Sequence, residues 1–525
     1  MAGARDRADR IDRLADRRVL NRSPPVRSTT LTFAQSGVVD TTEANCSEIK
    51  MRTANQSFIG GIWFNPTDVQ PIDVIDPSTE APHARLRVGG AADVDRAVAA
   101  ARWAFSFFSE WTVKQRVELL ERVLVVYTAR YDEVADTISR EMGAPIAFSR
   151  SMQAAVGTAH LEQTIRALKQ FEFSRQRGTL LVSHEPIGVC ALITPWNWPI
   201  NQIVCKVAPA LAAGCTMVLK PSEIAPFSAI LFAEILDEAG VPPGVFNLVH
   251  GYGHIVGDAL ARHPGVDMVS FTGSTRAGIE VAKAAADTVK RVHQELGSKS
   301  PNIICSDVDL TDAVTRGVKA CFSNSGQSCN APTRMLVPAH LKHTAEDIAR
   351  AEAEATVVGH PGAESSELGP VVSRVQYERI QRFIELGIDE GATLIAGGLG
   401  RPAGLETGFY VRPTVFSNVL PTMSIGREEI FGPVLSIMSY ESEEEAISIA
   451  NDSVYGLAAY VQSENLERAH RIAKRLRVGN VHINYPPWDP AAPFGGYKQS
   501  GNGREYAEFG LAEFLEIKGT TIAPC

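Results

Sequence analysis

The chain has little of what several protein classes require. No apolar run is long enough for a bilayer. The longest, from about Val207 to Leu219, is broken by Pro209 and Gly214, and a span needs roughly 18–20 apolar residues. Positive charge is not in excess. Lys and Arg number 51 against 60 Asp and Glu, a formal net charge of −9, which argues against a nucleic-acid binder with a basic face. Cysteine is sparse and scattered at positions 46, 190, 205, 215, 305, 321, 329 and 525. No two form a C-x-x-C pair, and no histidine cluster supplies zinc-ligand spacing, so neither a disulfide scaffold nor a structural metal site is expected. Thiols dispersed in this way suit a reducing, cytoplasmic compartment. Internal repeats and long low-complexity segments are also missing. What is present is ordinary: 45% hydrophobic and 21% charged residues in 525, the composition of a soluble globular protein of about two to four domains.

The first fifty residues stand apart. Eight arginines up to Arg27 are interspersed with Asp6, Asp9, Asp12 and Asp16. A secretory signal needs an apolar stretch, and a mitochondrial transit peptide is acid-poor, so neither fits. We expect residues 1–50 to be a disordered extension or the product of a misplaced start codon, with the folded protein opening near Met51.

Apolar spacing of three and four, as in Val94-x-x-Ala97-Val98-x-x-Ala101 and Val117-x-x-Leu120-x-x-Val123, predicts two helices within residues 91–131. From Val189 the pattern becomes short apolar strands alternating with helices. Strands are expected at Val189–Ile193, Thr216–Leu219, Val245–Val249 and Met268–Phe271, with helices reaching Ala213, over Phe227–Ala239 and over Ile255–Arg262. That alternation indicates a parallel, doubly wound α/β sheet. A second α/β series runs from Asn302 to about Asn484, with strands at Arg334–Val337 and Val434–Ile437. The tail, Glu513–Ile522, and the Thr179–Ser183 run read as lone strands that dock elsewhere or join a partner.

Three segments carry chemistry. In Ile193-Thr194-Pro195-Trp196-Asn197-Trp198-Pro199, rigid residues surround one polar side chain at the end of a strand. Asn197 is suited to donate to an oxyanion; a packing loop is the plain alternative. Glu295, in Gln294-Glu295-Leu296-Gly297-Ser298-Lys299, is either a general base or a solvated surface carboxylate. In Ser325-Gly326-Gln327-Ser328-Cys329, small residues leave the thiol approachable, and a helix N-terminus directly after it would favour thiolate. Most free cysteines, however, are buried and inert.

These segments, taken with Leu219-Lys220-Pro221-Ser222-Glu223, Phe271-Thr272-Gly273-Ser274-Thr275, Glu429-Ile430-Phe431-Gly432-Pro433 and Pro493-Phe494-Gly495-Gly496, resemble the NAD(P)-dependent aldehyde dehydrogenases, in family order from about Phe58 to Ile522. The resemblance implies a Rossmann-like NAD-binding domain (51–172 and 187–298), an α/β catalytic domain (299–497) and a small β oligomerisation arm and tail (173–186 and 498–525). It implies that Cys329 attacks the aldehyde carbon and that Asn197 and the Cys329 backbone N–H hold the oxyanion. Removing one such donor typically costs ~10²–10³ in rate. A thioester follows, and Glu295 activates the water that hydrolyses it. Lys206 and Glu505 match a proton relay, or equally a structural ion pair. One departure stands beside the base: the family commonly has a second glycine where this chain has Ser298, which bears on how freely Glu295 swings.

For the cofactor, the resemblance implies NAD held by Thr194, Pro195, Trp196, Lys220, Ser222, Glu223, Gly253, Gly257, Phe271, Thr272, Gly273, Ser274, Gly278, Leu296, Glu429 and Phe431. Read alone, the His250–Gly257 glycine pattern would attract the pyrophosphate. In the family it lies on the adenine side, and Phe271–Thr275 supplies the phosphate contact at a helix N-terminus. Glu223 beside the adenosine ribose would repel a 2′-phosphate, favouring NAD over NADP. Pocket positions by resemblance are Trp198, Gln202, Cys205, Ser328, Asn330 and Trp488, which point to an apolar or aromatic aldehyde and, lacking a basic group, away from carboxylated semialdehydes. Cation–π capture of a quaternary ammonium is weakened by Cys205, where betaine-aldehyde members have an aromatic. The arm and tail imply a homodimer or homotetramer. Two other readings compete: a CoA-acylating relative, which usually lacks the carboxylate at 295, and a non-catalytic member of the fold.

Overall fold

The computed structural model describes residues 56–66 and 71–523. The expected N-terminal extension and the Met51 start lie outside those residues. Among them, no helix is long and apolar enough to cross a membrane.

Five parallel strands form the centre of an eight-stranded sheet. In spatial order they are Arg291–Glu295, Met268–Thr272, Val189–Ile193, Thr216–Lys220 and Phe246–Leu248. Antiparallel edges close it: Gly501–Asn502 on one side, Ser57–Ile59 and Ile62–Phe64 on the other. The strands expected from apolar runs are all present, because a strand covered on both faces must be apolar throughout. Every residue of Val189–Ile193, Thr216–Lys220 and Met268–Thr272 is buried. One face carries the helices Val113–Ala129, Ala155–Gln170, Pro199–Ala213 and Phe227–Glu238, and the other carries Ala91–Phe108.

Chain order reverses between Val189–Ile193 and Met268–Thr272, since the chain moves outward from Val189 in one direction and then returns to its other side. Such a switch point opens a crevice at the carboxyl ends of the strands, where ligands bind in open α/β sheets. Helix Pro199–Ala213 starts there. Proline at its first position is pre-set for helical φ, and Gly214 ends it in the left-handed conformation at φ 92°.

The second sheet has seven strands: Thr393–Ala396, Thr414–Ser417, Val434–Tyr440, Arg334–Pro338, Pro301–Ile304, Ala458–Gln462 and Asn480–Ile483. All pairs are parallel except the first. The linker 296–300 joins the carboxyl end of Arg291–Glu295 to the start of Pro301–Ile304. The carboxyl edge of the first sheet thereby meets the amino edge of the second.

Two differences from the sequence reading follow from packing. The helix expected over Ile255–Arg262 opens as a π-turn at Gly253–Gly257 before the short helix Asp258–Arg262. Of residues 498–525, grouped with the arm in sequence, Gly501–Asn502 joins the first sheet and Ala507–Glu513 is a helix. Only Leu515–Thr521 enters the arm, pairing antiparallel with Leu180–Pro186 of the same chain in a three-stranded sheet completed by Ser174–Arg177.

Candidate active site

The cysteine loop follows helix Leu310–Phe322 and precedes strand Arg334–Pro338, so it lies at the amino edge of the second sheet. Three successive residues are left-handed: Asn324 at φ 57°, Ser325 at φ 54° and Gly326 at φ 72°. Gly326 has no alternative here, because a Cβ would stand 2.1 Å from the Gly432 carbonyl oxygen. Side chains hold this costly backbone. The Asn324 amide donates to the carbonyls of Asn197 at 2.9 Å and Gln327 at 3.2 Å. Gln153 donates to Asn324 Oδ1 at 3.1 Å and to the Asn197 carbonyl at 3.2 Å. Asn197 Nδ2 itself donates to the Gln327 carbonyl at 3.0 Å, tying the first sheet to the thiol loop. Its amide has a second hydrogen.

Cys329 is the one partly exposed cysteine among the described residues; the other five are buried. Contrary to the sequence expectation, no helix begins after it: residues 329–333 turn directly into a strand. The thiol thus has no following helix N-terminus to favour thiolate. Burial pushes its pKa up, and the carboxyl groups of Glu429, Glu295 and Glu505 add to the shift.

Glu295 ends its strand, buried to 2% exposure, and neither carboxyl oxygen has a hydrogen-bond partner among the described residues. Burial raises its pKa well above the ordinary value, and Glu505 raises it further against the opposing pull of Lys206 and Arg504. Lys206 and Glu505 form a fully buried ion pair behind it. Ser298 turns its hydroxyl to Ser300 at 3.1 Å, while its backbone N–H donates to Glu429 Oε1 at 2.8 Å.

The crevice at the switch point gathers most of the expected cofactor residues. Lys220 donates to Glu223 at 2.9 Å and to the Pro221 carbonyl at 2.8 Å, and Ser222 accepts from the Ile224 N–H at 3.2 Å. The hydroxyls of Thr194 and Thr272, at adjacent strand ends, are buried and have no partner among the described residues. Pro195 and Trp196 follow, with the Trp196 ring edge-on to Phe431 at 5.5 Å. Ser274 caps helix Thr275–Ala285, accepting from the Ala277 N–H at 3.3 Å. Phe271 packs on Gly273, and Gly278 lies against Leu296, whose Cδ2 would have to shift for a Cβ that would stand 2.6 Å from it. Gly253 and Gly257 bound the π-turn at the far side. Burial raises the Glu429 pKa to about 7.

The six pocket positions divide. Trp198 donates its indole N–H to Ser328 Oγ at 2.8 Å and packs edge-on against Phe148. The Asn330 carbonyl accepts from Tyr460 at 3.0 Å. Gln202 is buried, and its side-chain Oε1 has no partner among the described residues. Trp488, 43% exposed, lies edge-on to His160 with centroids 5.2 Å apart. Cys205 instead donates to Glu505 Oε2 at 3.4 Å and so belongs with the buried ion pair.

A sequence profile described as the aldehyde dehydrogenase family matches residues 63–520. The chain belongs to the aldehyde dehydrogenase family. Among its relatives, 3-succinoylsemialdehyde-pyridine dehydrogenase of a Pseudomonas species is 55% identical over 469 residues, covering 89% of this chain and 98% of that protein. Of solved structures, aldehyde dehydrogenase C of Pseudomonas syringae, a mutant in complex with NAD+ and octanal, superposes with a TM-score of 0.89 at 52% identity, covering 89% and 97% of the two chains. An aldehyde dehydrogenase of Bartonella henselae gives 0.88 at 49% identity, covering 89% and 99%.

The reaction of this aldehyde dehydrogenase is aldehyde oxidation, and the competing reading of a fold kept without its chemistry lapses. Sequence reasoning did not find the residues that brace or flank the site: Gln153, Asn324, His160, His293 and Tyr506. Gln153 and His160 lie far along the chain from the motifs, and only long-range packing brings them to the seam, whereas Asn324, His293 and Tyr506 directly adjoin segments already singled out.

Proposed function

We propose that the protein oxidises an apolar or aromatic aldehyde to its acid with NAD, using Cys329 as nucleophile, Asn197 as oxyanion donor and Glu295 as general base. The observation that carries this is the bond from Asn197 Nδ2 to the Gln327 carbonyl, which links the switch-point loop to the thiol loop. A second amide hydrogen remains for an oxygen developing at the carbon attacked by Cys329. Glu295 suits a base that must take up a proton from water, because burial and Glu505 have raised its affinity for one.

The crevice fits NAD: the unpartnered hydroxyls of Thr194 and Thr272 await an acceptor or donor, and the Lys220–Glu223 pair is suited to ribose hydroxyls. Glu223 disfavours a 2′-phosphate there by like-charge repulsion. Glu429 is assigned to the nicotinamide ribose, and Trp196 and Phe431, edge-on to each other at 5.5 Å, to the wall beside the nicotinamide ring. When bound, NAD supplies the acceptor for the hydride leaving the substrate carbon. We assign residues 51–172 and 187–298 to the cofactor domain and 299–497 to the catalytic domain. The arm, with Leu515–Thr521 at its outer edge, is assigned to a homodimer or homotetramer contact, and a cytoplasmic setting accords with the free thiols.

A relative named 3-succinoylsemialdehyde-pyridine dehydrogenase and a neighbour solved with octanal accord with an apolar or aromatic substrate. The test is NADH formation across an aldehyde panel, with and without CoA. Turnover on medium-chain and aromatic aldehydes, independent of CoA, is expected. Turnover only with CoA would replace hydrolysis by acyl transfer, and preference for carboxylated semialdehydes would overturn the substrate class.

A further inference from the structure

His293 lies two residues before Glu295 on strand Arg291–Glu295, so both side chains leave the same face of the sheet. Both are 2% exposed, and His293 Nε2 stands 3.5 Å from Glu295 Oε1. Among the described residues Nε2 has no hydrogen-bond partner, and neither does either carboxyl oxygen. The slot they share is walled by glycines. A Cβ at Gly503 would stand 2.3 Å from the imidazole Cδ2, and one at Gly495 would stand 2.7 Å from Glu295 Oε1. Across the neighbouring strand, Ser270 pairs in register with His293, and its hydroxyl oxygen is 3.4 Å from Nδ1.

We propose that His293 is a positioning residue that parks Glu295 while it is protonated and releases it when it ionises. This rests on the reading of Glu295 as the general base. Around the pair stand Lys206 from helix Pro199–Ala213, Arg504 and Glu505 from the segment beside it, and Glu513 from helix Ala507–Glu513. Burial, Lys206 and Arg504 keep His293 neutral, and burial with Glu505 favours neutral Glu295. With the ring proton on Nδ1 facing the Ser270 oxygen, Nε2 presents a lone pair. Only the acid form of Glu295 complements it, by donating its O–H. An ionised Glu295 places charge against that lone pair and against Glu505, and is driven out toward the thioester. There it takes a proton from the attacking water as the new carbon–oxygen bond forms and the Cys329 thiolate leaves. The proton makes Glu295 a donor again, and it returns to His293; loss of that proton to solvent frees it for the next cycle.

The experiment is the pH profile of steady-state NADH formation alongside the pre-steady-state burst. A hydrogen bond to the neutral form raises a carboxyl pKa. His293→Phe removes the acceptor and is expected to lower the acid limb of the steady-state profile by about one pH unit. His293→Gln, whose carbonyl still accepts, is expected to keep the wild-type limb. If His293→Phe does not fold, Ser270→Ala carries the test. It frees the ring to place its proton on Nε2, which favours carboxylate and shifts the limb the same way. An acid limb unmoved in the folded variants, or moved equally by Phe and Gln, overturns the parking role. Glu295→Gln separates the two readings. Full steady-state turnover in that variant would sink the base assignment itself. Turnover that stalls after the burst, with the limb unmoved in the His293 and Ser270 variants, leaves the base standing and removes only the role of His293.

Discussion

The Cys329 thiol illustrates how environment and sequence pattern can point in opposite directions. Small neighbours make it approachable, yet burial and the surrounding Glu429, Glu295 and Glu505 carboxyls favour its protonated form. The sign is clear: each influence penalises a negative sulfur, so the thiolate fraction of the free enzyme grows as pH rises. Alkylation of Cys329 by iodoacetamide in cofactor-free protein is expected to accelerate roughly tenfold per pH unit between about pH 7 and 9 without a plateau. Peptide mass spectrometry would follow the label. A plateau below pH 8 would mean an acidified thiol and would contradict this account. Ser298 shows the same dependence on surroundings. Its hydroxyl is engaged with Ser300, so the residue that departs from the family pattern meets Glu429 through its backbone and Ser300 through its side chain.

At the scale of elements, the left-handed loop from Asn324 to Gly326 holds its shape through partners contributed by distant segments. Gln153, at the end of the π-turn Ser149–Gln153, bonds both Asn324 and the Asn197 carbonyl. Gln153→Ala removes both bonds; the Asn197 carbonyl keeps its bond from Asn324, whereas Asn324 Oδ1 is left buried without a donor, which costs about 1–3 kcal/mol. Chemical denaturation is expected to show that loss, and kcat is expected to fall because Asn197 and the thiol loop lose their common brace. A variant with wild-type stability and kcat would show the brace to be dispensable. The two helices within residues 91–131 and the parallel strands from Val189 onward were legible in sequence, since 3.6-residue and continuous apolar patterns are local properties. The π-turn at Gly253 and the break-up of residues 498–525 into strand, helix and strand were not. Each is set by what it packs against, as with Gly501, where a Cβ would stand 2.0 Å from the Gln294 carbonyl.

For the whole molecule, the arm is the part least explained by a single chain. Strand Leu515–Thr521 is exposed at all but its first residue, with Ile517 at 72%, and it occupies the outer edge of the three-stranded sheet. An unprotected edge carrying an apolar side chain is a template for another strand. Ile517→Asp is expected to lower the oligomeric state seen by light scattering while the melting behaviour of the remaining fold persists. An unchanged mass would place the subunit contact elsewhere.

Sequence alone determined the family and the parallel strands from Val189 onward, and singled out Cys329, Glu295 and Asn197 as candidates, because periodicity and motif spacing are written along the chain. Tertiary structure decided how those residues meet: the carboxyl edge of one sheet against the amino edge of the other, Cys205 bonded to Glu505, and Ser270, Lys206, Arg504 and Glu505 gathered around His293 and Glu295. Charge states belong to the same level. Burial and neighbours many residues away raise Glu295 and Cys329 and bring Glu429 to about 7, and no linear pattern records which groups will share a low-dielectric seam.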